Sequence, residues 1–504
     1  MNNHGLPATP YSVTIMTNRR FLWATVCAAL LGLAGCATRP VNPPITQVDP
    51  NGGYTFQTRQ KHFKSQDTLV VLAFSGGGTR AAAFSYGVLE FLRRTEVVAA
   101  NGAKLRLIDA VDMITGVSGG SFTALAYGLY GDKLFADYEQ RFLKRDVQGE
   151  LIARAISPKY WPDYIGGTAG RSELAANYYD EILFNGATFG DLDRGTGPYI
   201  VASATDISTG SRLPFNQSVF NLLCADLNAM RLSRAAAASS AVPVVLSTVT
   251  INNYGGSCGF DVPPWVKMFT QSDNPPRPAA RAIRELQEGR ALADGVNRPF
   301  IHLVDGGIAD NLGMRGVLDA LQLLEALHAA GIPTPLDHVK RIVVVVVNSL
   351  SSPPTAWDAS EQGPGVVDVL LKSTGVPIDH YSYEAVELLK DISARWDTAR
   401  RLRDLAGCDV NKDAPVCAAI RVPQAKIYAI DVSFPALQDT AERDYLNQQP
   451  TTFVLPPEAV DRLRAAAGTI IGASPEFQRL LKDVGAKVVA DSSTGGAADA
   501  GAPQ

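Results

Sequence analysis

Short apolar runs recur along the chain: Thr68 to Phe74, Ala110 to Thr115, Tyr199 to Ala204, Ile301 to Val304, Ile342 to Val347 and Ile427 to Val432. Each is apolar almost throughout, as strands buried on both faces of a sheet are. Between them lie patterns of helical period at 80–94, 121–130, 172–184, 314–330 and 380–406. The last has Val386, Leu389, Ile392 and Trp396 on one face and closes on Gly407. Strands that alternate with helices predict an α/β fold with a mainly parallel central sheet covered on both faces. In such sheets chemistry sits just beyond the carboxyl ends of the strands, so functional residues are expected there.

Three strand ends carry a motif. After Phe74 comes Ser75-Gly76-Gly77-Gly78-Thr79-Arg80, opening a helix. Its glycines permit a tight turn, and its bare N–H groups face outward at a helix start, which suits an oxyanion or a phosphate. The run lacks the Gly-Lys-Ser/Thr of a nucleotide-binding loop and the glycine spacing of a dinucleotide fingerprint. After Thr115 comes Gly116-Val117-Ser118-Gly119-Gly120, again between a strand and a helix, the setting a nucleophile elbow requires. A second Gly-x-Ser-x-Gly match, Gly255 to Gly259, has no strand before it or helix after it and reads as a loop. After Val304 comes Asp305-Gly306-Gly307, a carboxylate at a strand end. Asp294-Gly295 lacks such a strand.

A serine needs a base. Of the six histidines, only His380 is positioned for an ordinary triad, at the opening of the helix expected over 380–406. Asp305 is the other candidate. Two enzyme readings follow, a Ser118–Asp305 dyad and an α/β-hydrolase esterase with a Ser-His-Asp triad. A non-catalytic envelope lipoprotein is the reading from another class.

The three motifs in this order resemble the patatin-like phospholipase family, and Ala235 to Pro243 resembles that family's small-residue helix ending in proline. The similarity covers roughly residues 66–435. Ser75 stands where the family often has an acidic residue, and Ala81 where it often has glycine. The resemblance implies a three-layer α/β/α fold and a lipid acyl hydrolase of phospholipase A or lysophospholipase type. Ser118 would be the nucleophile and Asp305 its base, with an acyl-enzyme intermediate. The oxyanion hole would come from Gly76, Gly77, Gly78 and Thr79, chiefly Gly77 and Gly78, with Arg80 a possible phosphate contact. No cofactor is implied, and no metal site is expected.

The remaining features set the address. The chain has 504 residues, 46% apolar and 19% charged, and carries a net charge of −4. Those values fit a folded globular chain and show no basic excess for nucleic acid. Arg19-Arg20 precede an uncharged run, Phe21 to Ala34, that suits a signal-peptide core, and Leu33-Ala34-Gly35-Cys36 resembles a bacterial lipobox. Cys36 would then be lipidated and hold the protein to the membrane. Ala37 and Thr38 lack an inner-membrane retention aspartate, so an outer-membrane lipoprotein, periplasmic or surface-facing, is expected. Loss of residues 1–35 leaves a net charge of −6, so polybasic binding to anionic lipid is not expected. Cys224, Cys258, Cys408 and Cys417 permit three connectivities in an oxidising compartment; 224–258 with 408–417 is favoured because each closes a local loop. The predicted organisation is signal peptide 1–35, tether 36–65, catalytic domain 66–435, C-terminal helical extension 436–490 and disordered tail 491–504. Tyr160-Trp161-Pro162 with Tyr164, and Pro264-Trp265 with Met268-Phe269, are aromatic clusters read as core packing before rim or lid.

Overall fold

In the computed structural model the described residues are 39–98, 102–163, 170–243, 245–261, 279–353, 355–410 and 414–489. The signal segment with Cys36, the tail 491–504, Tyr164 and the cluster Pro264 to Phe269 lie outside them. Eleven strands are described: β1 Thr68–Phe74, β2 Glu96–Val98, β3 Lys104–Arg106, β4 Met113–Val117, β5 Tyr199–Asp206, β6 Arg212–Pro214, β7 Val249–Asn252, β8 Phe300–Val304, β9 Arg341–Asn348, β10 Lys426–Ser433 and β11 Lys487–Val489. The main sheet runs β10-β9-β1-β4-β5-β8-β7, with β6 paired to β5, and β11-β2-β3 form a small separate sheet.

Strands β10, β9, β1, β4 and β5 are mutually parallel. Along β9, Val343, Val345 and Val347 belong to one core cluster, while Ile342, Val344 and Val346 belong to another. The period of two thus sends alternate side chains into two separate layers, as expected of a sheet buried on both faces. The Gly119–Tyr130, Leu232–Ser239 and Pro457–Ala473 helices supply the first layer, and Arg315–Ala329 with Val366–Leu405 the second. This is a three-layer α/β/α fold.

Strand β8 departs from the parallel pattern. It runs antiparallel to β5, pairing Val304 with Thr205 and Leu303 with Asp206. Its last residue therefore meets the carboxyl end of β5, which brings Asp305 to the carboxyl ends of the parallel strands from the opposite direction. The run at 110–115 is also shifted. Leu107–Ala110 is a 3₁₀ turn and the strand begins at Met113, because buried Asp112 accepts from the Val70 N–H and tops the β1–β4 ladder. The expected long helix begins at Val366 and contains Pro377, so His380 lies in its interior.

Two segments expected to be peripheral are built into the body. The stretch read as a tether is docked from residue 39 onward. Asn42 exchanges two hydrogen bonds with Asn252 on β7, and the Ile45 N–H donates to the Cys224 carbonyl. The C-terminal helices are equally integral: Val460, Leu463, Ile470 and Ile471 belong to the main core. Disulfides join Cys224 to Cys258 and Cys408 to Cys417. Among the described residues no helix is long and apolar enough to cross a membrane.

Candidate active site

The site begins with a strained turn. Ser118 follows β4 and precedes the Gly119–Tyr130 helix, with φ 48° and ψ −123°. A side chain at positive φ costs energy and persists only where its surroundings hold it. Here the Ser118 N–H donates to Ser239 Oγ at 2.9 Å, and Ser239 Oγ donates to the Ser203 carbonyl of β5 at 2.7 Å. The neighbouring glycine is required by contact. A Cβ on Gly119 would lie 2.0 Å from the Gly78 carbonyl oxygen, so the elbow and the glycine-rich loop touch through backbone.

Ser118 Oγ donates to Asp305 Oδ2 at 2.9 Å. The other carboxylate oxygen accepts from the Gly307 N–H at 2.7 Å, which fixes the plane of the carboxylate. The Asp305 backbone is clamped as well: its N–H donates to the Ala241 carbonyl, and its carbonyl accepts from Thr205 Oγ1. Ser118 is 5% exposed and Asp305 8%. Burial disfavours the charged carboxylate and pushes Asp305 up from 3.8 to about 6, against the pull of the Gly307 and Ser118 hydrogen bonds. A carboxylate so placed is ionised at neutral pH and still more basic than an exposed one, which suits a proton acceptor.

Of the histidines, His302 bonds Thr250 from the exposed face of β8, and His380 is exposed in mid-helix. Neither hydrogen-bonds Ser118 or Asp305 among the described residues. The triad position expected for His380 is therefore corrected: the helix starts fourteen residues earlier than its periodicity indicated and carries this side chain outward.

The loop 76–80 divides into donors already engaged and donors left open. The Gly76 N–H donates to the Asn311 carbonyl at 2.9 Å, and the Thr79 N–H to the Thr452 carbonyl at 2.8 Å. Gly76 and Thr79, expected in an oxyanion hole, are thus taken up by protein carbonyls. The N–H groups of Gly77 and Gly78 have no acceptor among the described residues. Gly77 has φ 139° and Gly78 φ 60°, conformations that favour glycine.

Arg80 is corrected too. It is buried, and its guanidinium faces inward: Nε donates to the Ser349 carbonyl at 2.6 Å, Nη1 to the Gln449 carbonyl at 2.7 Å and Nη2 to Thr451 Oγ1 at 3.0 Å. With these donors spent on the protein, Arg80 is not placed to meet a phosphate. It ties β9 and the segment Gln449–Thr452 to the glycine-rich loop. Phe453, next in that segment, packs edge-on against Phe122 of the elbow helix at 5.6 Å. Sequence reasoning missed these supports. Ser239 lay inside the small-residue helix, but nothing in Ser349 or Gln449 to Thr452 signals a role until the fold brings them to the loop.

A family model described as patatin-like phospholipase matches residues 72–318, a range that holds Ser118, Asp305 and the whole glycine-rich loop but not Thr452. Among solved structures, the chain is similar to human GIVD cytosolic phospholipase A2, with a TM-score of 0.42 and 13% identity over 88% of this chain and 67% of that one. It is also similar to VipD from Legionella pneumophila, with a TM-score of 0.30 and 12% identity over 90% and 72%. No curated protein matches. Residues 72–318 thus form a patatin-like phospholipase domain, and in general terms the protein is a lipid acyl hydrolase.

Proposed function

We propose that the protein is a phospholipase A or lysophospholipase that cleaves carboxylic esters through a Ser118–Asp305 dyad. The observation that carries the reading is the 2.9 Å hydrogen bond between Ser118 Oγ and a buried, base-shifted Asp305. In the reaction Asp305 takes the Ser118 proton as Oγ attacks the ester carbonyl. The carbonyl oxygen gathers negative charge and is met by the Gly77 and Gly78 N–H groups. A donor of this kind typically lowers the barrier by about 3 kcal/mol. The tetrahedral intermediate collapses to an acyl-serine, and the proton on Asp305 passes to the departing alkoxide. Water then attacks the acyl-enzyme with Asp305 again as base, releasing the fatty acid. The substrate class is a phospholipid or another acyl lipid. Cys36, lipidated at the mature amino terminus, would hold the enzyme to the bacterial outer membrane.

Labelling by a fluorophosphonate probe tests the dyad. Wild type and His380→Ala are expected to label, and Ser118→Ala and Asp305→Asn to fail. Labelling lost in His380→Ala but kept in Asp305→Asn would overturn the dyad in favour of a triad.

A further inference from the structure

The amino-terminal stretch is pinned to the edge of the sheet from Arg39 onward. Arg39 Nη1 donates to the Thr250 carbonyl at 3.1 Å, its other terminal nitrogen reaches Asn252 Oδ1, and its guanidinium lies 5.3 Å from the Phe300 ring centre. Pro44 bridges Ala225, and the Val48 N–H reaches the carbonyl of disulfide-bonded Cys258. These residues run beside β7, the last strand of the main sheet. An unpaired edge invites pairing with other chains, and this segment covers it.

The sheet surface beside that edge is exposed and carries large apolar side chains beside His302 and Arg39. Alternation along β8 buries Ile301 and Leu303 and turns Phe300 and His302 outward. Ile207, whose N–H reaches the His302 carbonyl, extends this surface across the tip of β5. Phe300 is 48% exposed, Ile207 49%, Val41 61% and Val296, in the loop before β8, 88%. Isolated exposed apolar residues need no explanation, but four around one sheet corner indicate a contact surface.

The chain end says what it contacts. Cys36 precedes Arg39 by three residues, and a fully extended chain spans at most about 3.5 Å per residue. The acyl-bearing sulfur is therefore held within roughly 11 Å of the Arg39 backbone, plus the short cysteine side chain. The headgroup layer of a bilayer is of comparable depth, about 5–8 Å on each side. A tether of some thirty residues would leave orientation free; three residues do not. We propose that the β8–β7 corner, with Phe300, Ile207, Val296 and Val41 at its surface, is the face on which the protein rests against a lipid bilayer.

The proposal builds on the reading of Cys36 as a lipidation site. Five residue steps lead from Phe300 to Asp305, roughly 17 Å at the usual rise. The catalytic dyad thus sits about one strand length from the lipid headgroups.

Full chain, processed in an outer-membrane-bearing bacterial host, would be reconstituted in phosphatidylethanolamine–phosphatidylglycerol vesicles with a spin-labelled fraction. A fluorophore would be placed through Phe300→Cys or Ile207→Cys, or through Asp444→Cys, which lies on the Thr440–Asn447 helix near the end of β10 at the opposite edge. At least twofold quenching at 300 and 207 with none at 444 is expected. Weaker quenching at 300 and 207 than at 444, equal quenching at all three, or quenching at none of them overturns the proposal. So does a mass spectrum of the mature amino-terminal peptide with unmodified Cys36. Turnover of a short water-soluble ester, expected within twofold of parent in each variant, certifies folding. It also separates the two readings: turnover lost with Ser118→Ala but intact in a chain that fails the quenching test leaves the hydrolase standing and removes only the docking face.

Discussion

Replacing Asp305 by asparagine is expected to abolish activity and to stabilise the protein, with a pH dependence that follows from the site. Burial raises the Asp305 carboxyl from 3.8 to about 6. A difference of that size corresponds to roughly 3 kcal/mol of preference for the neutral form in the folded protein. The sign follows from linkage. The folded state holds this proton more tightly than the unfolded chain, so the contribution to stability is greatest at low pH. It is lost as pH rises from about 4 through about 6, and above that the full cost of the buried charge is present. Asparagine carries no charge at any pH, keeps a carbonyl for the Gly307 N–H and retains the volume. Asp305→Asn is therefore expected to be more stable than wild type at pH 8 by roughly 1–3 kcal/mol, the range allowing for a weaker hydrogen bond to Ser118. The gap should close near pH 4, where wild-type Asp305 is protonated. Urea denaturation of both proteins at pH 8 and pH 4.5, beside ester turnover at pH 8, measures it. A wild type that is the more stable protein at pH 8, or a gap of equal size at both pH values, would refute the argument that a buried charge is held here at a cost.

Further outcomes can be checked in parallel. Wild-type turnover should fall on the acid side with an apparent midpoint near 6, as Asp305 takes up a proton, measured as kcat/KM for a soluble ester between pH 4.5 and 8. Arg80→Met removes three hydrogen bonds from a charged donor, two of them buried, and leaves the Ser349 carbonyl without its donor, while the Gln449 carbonyl keeps only Ser351 Oγ. A loss of about 3 kcal/mol or more is expected in urea, together with lower kcat, and Arg80→Lys should not restore it because one ammonium cannot reproduce the fork. Gly119→Ala places a Cβ 2.0 Å from a backbone oxygen of the glycine-rich loop, so fluorophosphonate labelling should disappear even if folded protein is recovered. Cys224→Ser with Cys258→Ser opens a 34-residue separation, for which loop-closure entropy gives about 4 kcal/mol; melting temperature should drop accordingly.

Those sites differ in how visible they are in the chain. The parallel core was legible because β1, β4, β5, β9 and β10 are buried on both faces, and such strands read as unbroken apolar runs. Ser118 and the glycine-rich loop were legible because a tight strand-to-helix turn admits few residue types. The direction of β8 was not, since a short apolar run carries no sign of what it pairs with. The start of the long helix was missed because Val366, Val369 and Leu370 are exposed and leave no buried stripe to set the period. The inward turn of Arg80 was hidden for a different reason. Its partners are the backbone carbonyls of Ser349 and Gln449 and one threonine hydroxyl, and a carbonyl has no signature in sequence.

The contact between the glycine-rich loop and residues 449–452 bears on how the enzyme is made. Arg80 and Thr451 stand 371 positions apart in the chain, and the Thr79 N–H waits for the carbonyl of Thr452. A ribosome delivers the loop, the elbow and Asp305 long before that last strap emerges. Until it does, the Thr79 N–H and the Arg80 guanidinium lack the partners that hold the glycine-rich loop in place. A chain that stops short of Gln449 is therefore expected to carry Ser118 and Asp305 beside an unbraced loop, and to gain hydrolysis only once residues 449–452 are present.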